Sequence, residues 1–156
     1  MKSIFRVIVV VPLLTYGNAL AEPKTAPEII ASCGESSGQA YYHHNEIVSK
    51  DEAGWSEDRV KDGSFLVQKS GDEYDVIYRD KLGLHSSKDS GALIIPTYKG
   101  PNSLSLVLTY PANGNTEVYN FQHLGTKDAE ASWTSTKVGT LIVKSGVFLA
   151  KCDDRK

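Results

Sequence analysis

From Ser64 onward the chain alternates. Phe65 and Val67 stand out of phase with Leu66 and Gln68, Ser70-Gly71-Asp72 makes a turn, and Tyr74, Val76 and Tyr78 then alternate with Asp75, Ile77 and Arg79. Successive side chains of a strand point to opposite faces, so period-two runs on both sides of a tight turn predict a β-hairpin. Asp80-Lys81-Leu82-Gly83 turns the chain again before a short strand over 84–87. Ala92-Leu93-Ile94-Ile95-Pro96-Thr97-Tyr98 is the next strand, and Pro96, which has no N–H, places it at an edge or a bulge. Leu104, Leu106, Leu108 and Tyr110 line one face of the clearest strand of all. The turn formers Pro111-Ala112-Asn113-Gly114-Asn115 separate it from strands over 116–122 and 131–135. A closing pair, 140–144 and 147–152, is split by Ser145-Gly146.

Before Ser64 the pattern differs. Thr25-Ala26-Pro27-Glu28 has the cap, early proline and first-turn acid of a helix start; Ile29, Ile30 and Cys33 share a helical face, and Gly34 is a stop. This predicts a short N-terminal helix. Residues 34–54 show no period, apart from Tyr41-Tyr42, which could begin a strand, and the apolar pair Ile47-Val48. Trp55 is expected to anchor this connection on the core, and 56–63 reads as one helical turn between Ser56 as cap and Gly63 as terminator.

Eight or so strands with local connections predict a mainly β fold, an antiparallel meander. No helix is long enough to cover a sheet face, so the sheet must curl or pack on itself, as a small barrel or a two-sheet sandwich. Tyr74, Tyr119, Phe121, Trp133 and Phe148 are its natural core fillers.

The N-terminus adds a compartment. Lys2 and Arg6 give a positive start, residues 4–14 are apolar except for Arg6 and Pro12, and Ala19-Leu20-Ala21 supplies a small-x-small cleavage pattern. Together they predict a signal peptide over 1–21, a flexible leader over 22–28 and a single β-rich domain over 29–156, in the periplasm or secreted. Loss of Lys2 and Arg6 leaves 15 basic groups against 19 acidic ones, a net charge of −4 that argues against a nucleic-acid or anionic-membrane binder. No later run is apolar enough to span a bilayer. In an oxidising compartment the two cysteines, Cys33 and Cys152, are expected to form a disulfide. Ile30-Ala31-Ser32-Cys33 also looks like a lipobox, but the polar stretch 22–28 separates it from the apolar run that a lipobox directly follows.

Candidate chemistry is sparse. Gly34-Glu35-Ser36-Ser37-Gly38 satisfies G-x-S-x-G, the serine-hydrolase pattern that works by lifting the serine on a strand-to-helix turn. No long helix follows and no βαβ pattern surrounds it, so a flexible loop is the preferred reading, with a hydrolase using Ser36 as the rival. His43 and His44 are adjacent and point to opposite sides of an extended chain, which argues against their ligating one metal ion. Acids fall mostly at turns. No catalytic residue, metal or cofactor is assigned. Two adjacent tyrosines in a polar segment cannot easily both be buried, which makes Tyr41, Tyr42, His43 and His44 the candidate binding surface.

The pattern Cys33-Gly34-x-Ser36-x-Gly38 with Tyr41-Tyr42, then Gly54-Trp55, Tyr74-Asp75-Val76-Ile77-Tyr78 and Ala150-x-Cys152 resembles a group of small exported proteobacterial proteins of unknown function. The resemblance implies a periplasmic setting and carries no activity. In architecture the chain is also similar to small exported lysozyme-inhibitor barrels, which combine a meander with a terminal disulfide; no functional residue carries over. The expectation is a non-enzymatic module binding a protein or small ligand, with a structural envelope component or lysozyme-inhibitor-like protein as further alternatives.

Overall fold

The computed structural model describes residues 26–153. The expected signal peptide and most of the leader lie outside the described residues.

Where a short helix was expected, the chain is extended. Strand β1 runs Glu28–Tyr42, and no helix occurs among the described residues. Its core face carries Ala31 and Cys33, then Ser36 and Ala40, all buried. Between Cys33 and Ser36 the pairing register slips, and Gly34 and Glu35 both lie exposed. This bulge shifts the face by one residue. It erases the period-two signal and leaves Ile29, Ile30 and Cys33 at a spacing that mimics a helical face. A two-turn helix has little stability of its own, whereas the strand gains hydrogen-bonded partners on both edges.

One edge is taken by β2 (Gly54–Val60) and β3 (Ser64–Ser70), both antiparallel to β1. β2 pairs with Ser36–Tyr42 and β3 with the earlier half, so the two form one course kinked at Lys61-Asp62-Gly63. The helical turn expected over 56–63 is therefore a strand and a kink. Asp62 has φ 58° at this kink, and its N–H donates to Glu35 Oε1 at 2.9 Å. The bulge in β1 thus fixes the kink beside it.

The remaining strands are β4 (Glu73–Asp80), β5 (Gly83–Ser86), β6 (Leu93–Lys99), β7 (Leu104–Tyr110), β8 (Asn115–Gln122), β9 (Glu130–Lys137) and β10 (Lys144–Cys152). Their spatial order is β5-β4-β3-β1-β10-β9-β8-β7-β6, with β2 beside β1 and every pair antiparallel. This is a meander that returns β10 to β1 and curls into a half-barrel, one continuous sheet rather than two packed ones. At the seam between β5 and β6, the buried Ser87 donates its N–H to the Val76 carbonyl at 2.9 Å and accepts from the Tyr110 hydroxyl at 3.2 Å. Pro96 lies in the terminal strand β6, next to a register shift between Pro96 and Tyr98.

Two further expectations change. Residues 144–152 form one strand, so Ser145-Gly146 is not a turn. Gly146 is glycine because a Cβ there would stand 2.7 Å from the Phe148 ring. Trp55 does not anchor the core; it is 68% exposed on the outer face.

One end of the half-barrel is packed by Val67, Val76, Leu104, Leu106, Phe121 and Ala131. There Cys33 and Cys152, register partners on β1 and β10, form a disulfide across a separation of 119 residues.

Candidate functional site

The other end is open, and the reason lies in side-chain size. Phe148, Trp133 and Tyr119 are register partners on β10, β9 and β8, and their rings stack at centroid distances of 4.2 and 5.5 Å. The neighbouring core-face positions are Ser36, Gly38 and Ala40 on β1 and Gly146 on β10. Gly38 and Gly146 let the neighbouring backbone and the Phe148 ring approach closely, whereas the small side chain of Ser36 borders open space beside Tyr119 and Trp133. A cavity of about 360 Å³ results, bounded by Ser36 and Phe65 on one side, Tyr78 and Tyr110 on another, with Glu117 and Trp133 between. A recess of about 380 Å³ lies beside it and shares Val60, Trp133 and Lys137 with it. Both are large enough for a small organic molecule.

Polar groups concentrate at this mouth. Burial pushes the Glu117 carboxyl above its ordinary range, offset in part by the hydrogen bond from the Tyr119 hydroxyl at 3.0 Å and by the Lys137 charge. Burial also pushes the Tyr110 hydroxyl up to about 12. Three buried polar atoms find no partner among the described residues: Asn115 Oδ1, Trp133 Nε1 and Ser135 Oγ. Each such atom is costly when it stays unpaired. The residues that carry them sit on the mouth half of β8 and β9 and line the cavity or its recess. Lys144 reaches from β10 across β1 to pair with Asp58 on β2, and its ammonium stands 5.3 Å from the centroid of the Tyr42 ring.

The expected recognition stretch is divided by the strand. Tyr41 faces outward, in edge contact with His43 at 5.0 Å and Trp55 at 5.6 Å. Tyr42 faces inward under Lys144 and is half-buried. His43 and His44 are exposed, and His44 Nδ1 is hydrogen-bonded to the Val48 carbonyl at 2.8 Å. Tyr41, His43 and Trp55 form one outer aromatic cluster, while Tyr42 belongs to the mouth. Among the described residues no group of three or more His, Cys, Asp or Glu could hold a metal ion, and no helix is long and apolar enough to cross a membrane.

Ser36 lies within a continuous strand, not on a strand-to-helix turn, and no histidine lines the cavity. The G-x-S-x-G match spans the bulge of β1. Cys33 and Cys152 are joined, which leaves no Cys33 thiol to carry a lipid.

No motif marks Glu117, Asn115, Ser135, Lys137 or Lys144, although the sequence carries a signal for them. Along β8 the core-face residues are Phe121, Tyr119, Glu117 and Asn115; along β9, Ala131, Trp133, Ser135 and Lys137; along β10, Ala150, Phe148, Gly146 and Lys144. In three successive strands the core face turns polar at the same end. Comparison with protein-family models, curated proteins and solved structures finds no match, so the site rests on its own geometry.

Proposed function

We propose that this is an exported, disulfide-stapled binding module that takes a small ligand in the mouth of its half-barrel. The carrying observation is the cavity of about 360 Å³ over the Tyr119–Trp133 stack, lined by Asn115 and Trp133, each of which carries a buried polar atom that lacks a partner. Cores of this size fill such a space with side chains unless something else occupies it. Export is supported by the pattern of residues 1–21 and agrees with the Cys33–Cys152 bridge, since structural disulfides persist in oxidising compartments. A periplasmic setting also agrees with the resemblance to small exported proteobacterial proteins.

The test is binding of N-phenylnaphthylamine, a neutral dye that brightens in apolar surroundings. The folded, oxidised protein is expected to bind it. Ser36→Leu, which fills the cavity from β1, is expected to abolish the signal, and Trp55→Ala on the outer face to leave it unchanged. Retained binding in Ser36→Leu together with loss in Trp55→Ala would move the site to the outer aromatic cluster, which suits a protein partner better.

A further inference from the structure

We infer that the ligand of this mouth is an anionic amphiphile, a carboxylate or other oxyanion on an apolar body, with its head group held between Ser135, Trp133 and Lys137. The inference rests on the small-ligand reading above and specifies its chemistry.

Three observations point the same way. The first is hydrogen-bond polarity. Trp133 Nε1 can only donate, and the Ser135 hydroxyl carries a proton to give; both are buried without a partner, and Ser135 is only 4% exposed. These two unsatisfied donors on one face of β9 call for an acceptor that the protein does not supply, while the third unpartnered atom, Asn115 Oδ1, is an acceptor and belongs to the cavity side. An oxyanion is the strongest acceptor available, because charge-assisted hydrogen bonds exceed neutral ones by about twofold.

The second is charge. The recess beside Trp133 and Ser135 is bordered by Arg59, Lys61, Lys81, Lys137 and Lys144, with Asp58 the acid among its lining residues. Asp58 is paired with Lys144, and no ion pair among the described residues engages Lys137. The chain as a whole carries more acid than base. A cationic recess on an acidic protein focuses anions into one place. The acids on the cavity side are Asp80, which accepts from the Leu82 N–H and is hydrogen-bonded to His85, and Glu117, which accepts from the Tyr119 hydroxyl and whose ionised form the Lys137 charge favours.

The third is the floor. The aromatic row runs from Phe148 in the recess through Trp133 to Tyr119 in the 360 Å³ cavity, beside Phe65. An apolar body laid along it buries surface at about 25 cal/mol per Å². Head group at the recess and body in the cavity follow from this arrangement.

Two dyes that share an arene separate the charge from the apolar contribution: anilinonaphthalene sulfonate, which carries an oxyanion, and N-phenylnaphthylamine, which does not. Titrated into the full, oxidised chain, the sulfonate is expected to bind about tenfold more tightly, the scale of one charge-assisted contact. The double variant Ser135→Ala with Lys137→Met is expected to erase that advantage and leave N-phenylnaphthylamine binding within about twofold. Lys61→Gln with Lys81→Gln, at exposed positions where folding is not at stake, is expected to weaken the sulfonate alone, by about two- to threefold. Salt of about 1 M, where the Debye length falls to about 3 Å, should reproduce that loss. Equal affinity for the two dyes, or variants that weaken both alike, would overturn the anion assignment while leaving the cavity as a site for neutral ligands. Binding of neither dye by the folded protein would overturn the small-ligand reading itself, a separate outcome.

Discussion

Glu117 is the position that departs most clearly from what a packed core would carry. It occupies a core-face position of β8, two residues from Tyr119 and four from Phe121, where an apolar side chain would pack without cost. Burial raises its carboxyl above the ordinary 4.5 of a glutamate, despite the Tyr119 hydrogen bond and the nearby Lys137. A raised acid favours the folded state in its protonated form. That contribution is fully present below pH 4.5 and is lost as pH rises through the elevated folded value. Glu117→Gln keeps an oxygen for Tyr119 and removes the ionisation. The variant is therefore expected to melt higher than the parent at pH 8, and the gap is expected to close at pH 4. Thermal unfolding at the two pH values checks this, and a gap of the same size at both would contradict it. Other titrating groups, such as Asp80 and Glu52, are common to both proteins and cancel in the difference.

At the scale of the element, the forked edge of β1 decides where the mouth lies. The β2–β3 course bends at Asp62, and Lys144 ties the β2 limb to β10 through Asp58, with side chains only 21% and 16% exposed. Lys144→Met would strand the Asp58 charge in a partly buried setting, at a cost of about 1–3 kcal/mol. The loss should be local: amide exchange across Gly54–Val60 is expected to accelerate while Leu104–Tyr110 stays protected. Uniform acceleration, or none, would argue that this ion pair does not hold the limb. The same region marks the limit of what the sequence shows. Strands with unbroken alternation, such as Leu104–Tyr110, are legible because every second side chain enters one core. β1 is not, because a bulge of two outward residues breaks the period, and Ser56 and Gly63 imitate helix punctuation at a strand and a kink. The outer cluster of Tyr41 and His43 follows from local polarity. The mouth does not, since it depends on which strands become neighbours and on Ser36 of β1 sharing a cavity with Tyr119 and Trp133, about 80 to 100 positions further along.

Seen whole, the molecule is a meander whose first and last strands meet, with a packed, stapled end and an open, polar-rimmed one. The Cys33–Cys152 bridge closes nearly the full length of the sheet, and in the chain-entropy account a loop of 119 residues contributes about 4–5 kcal/mol. That reserve lets the opposite end carry buried Glu117 and the unpaired Ser135, which a core of this size would otherwise tolerate poorly. A stapled end and a costly, unfilled end are what the proposed small-ligand site requires. The two tryptophans mark the competing surfaces: Trp133 lines the cavity, and Trp55 stands with Tyr41 and His43 on the outer face. Their indole N–H resonances report on each separately in a titration of the oxidised protein with N-phenylnaphthylamine, followed by nitrogen–proton correlation spectroscopy. The account predicts that the Trp133 indole signal shifts and saturates while that of Trp55 stays in place; movement of Trp55 with Trp133 unmoved would contradict it.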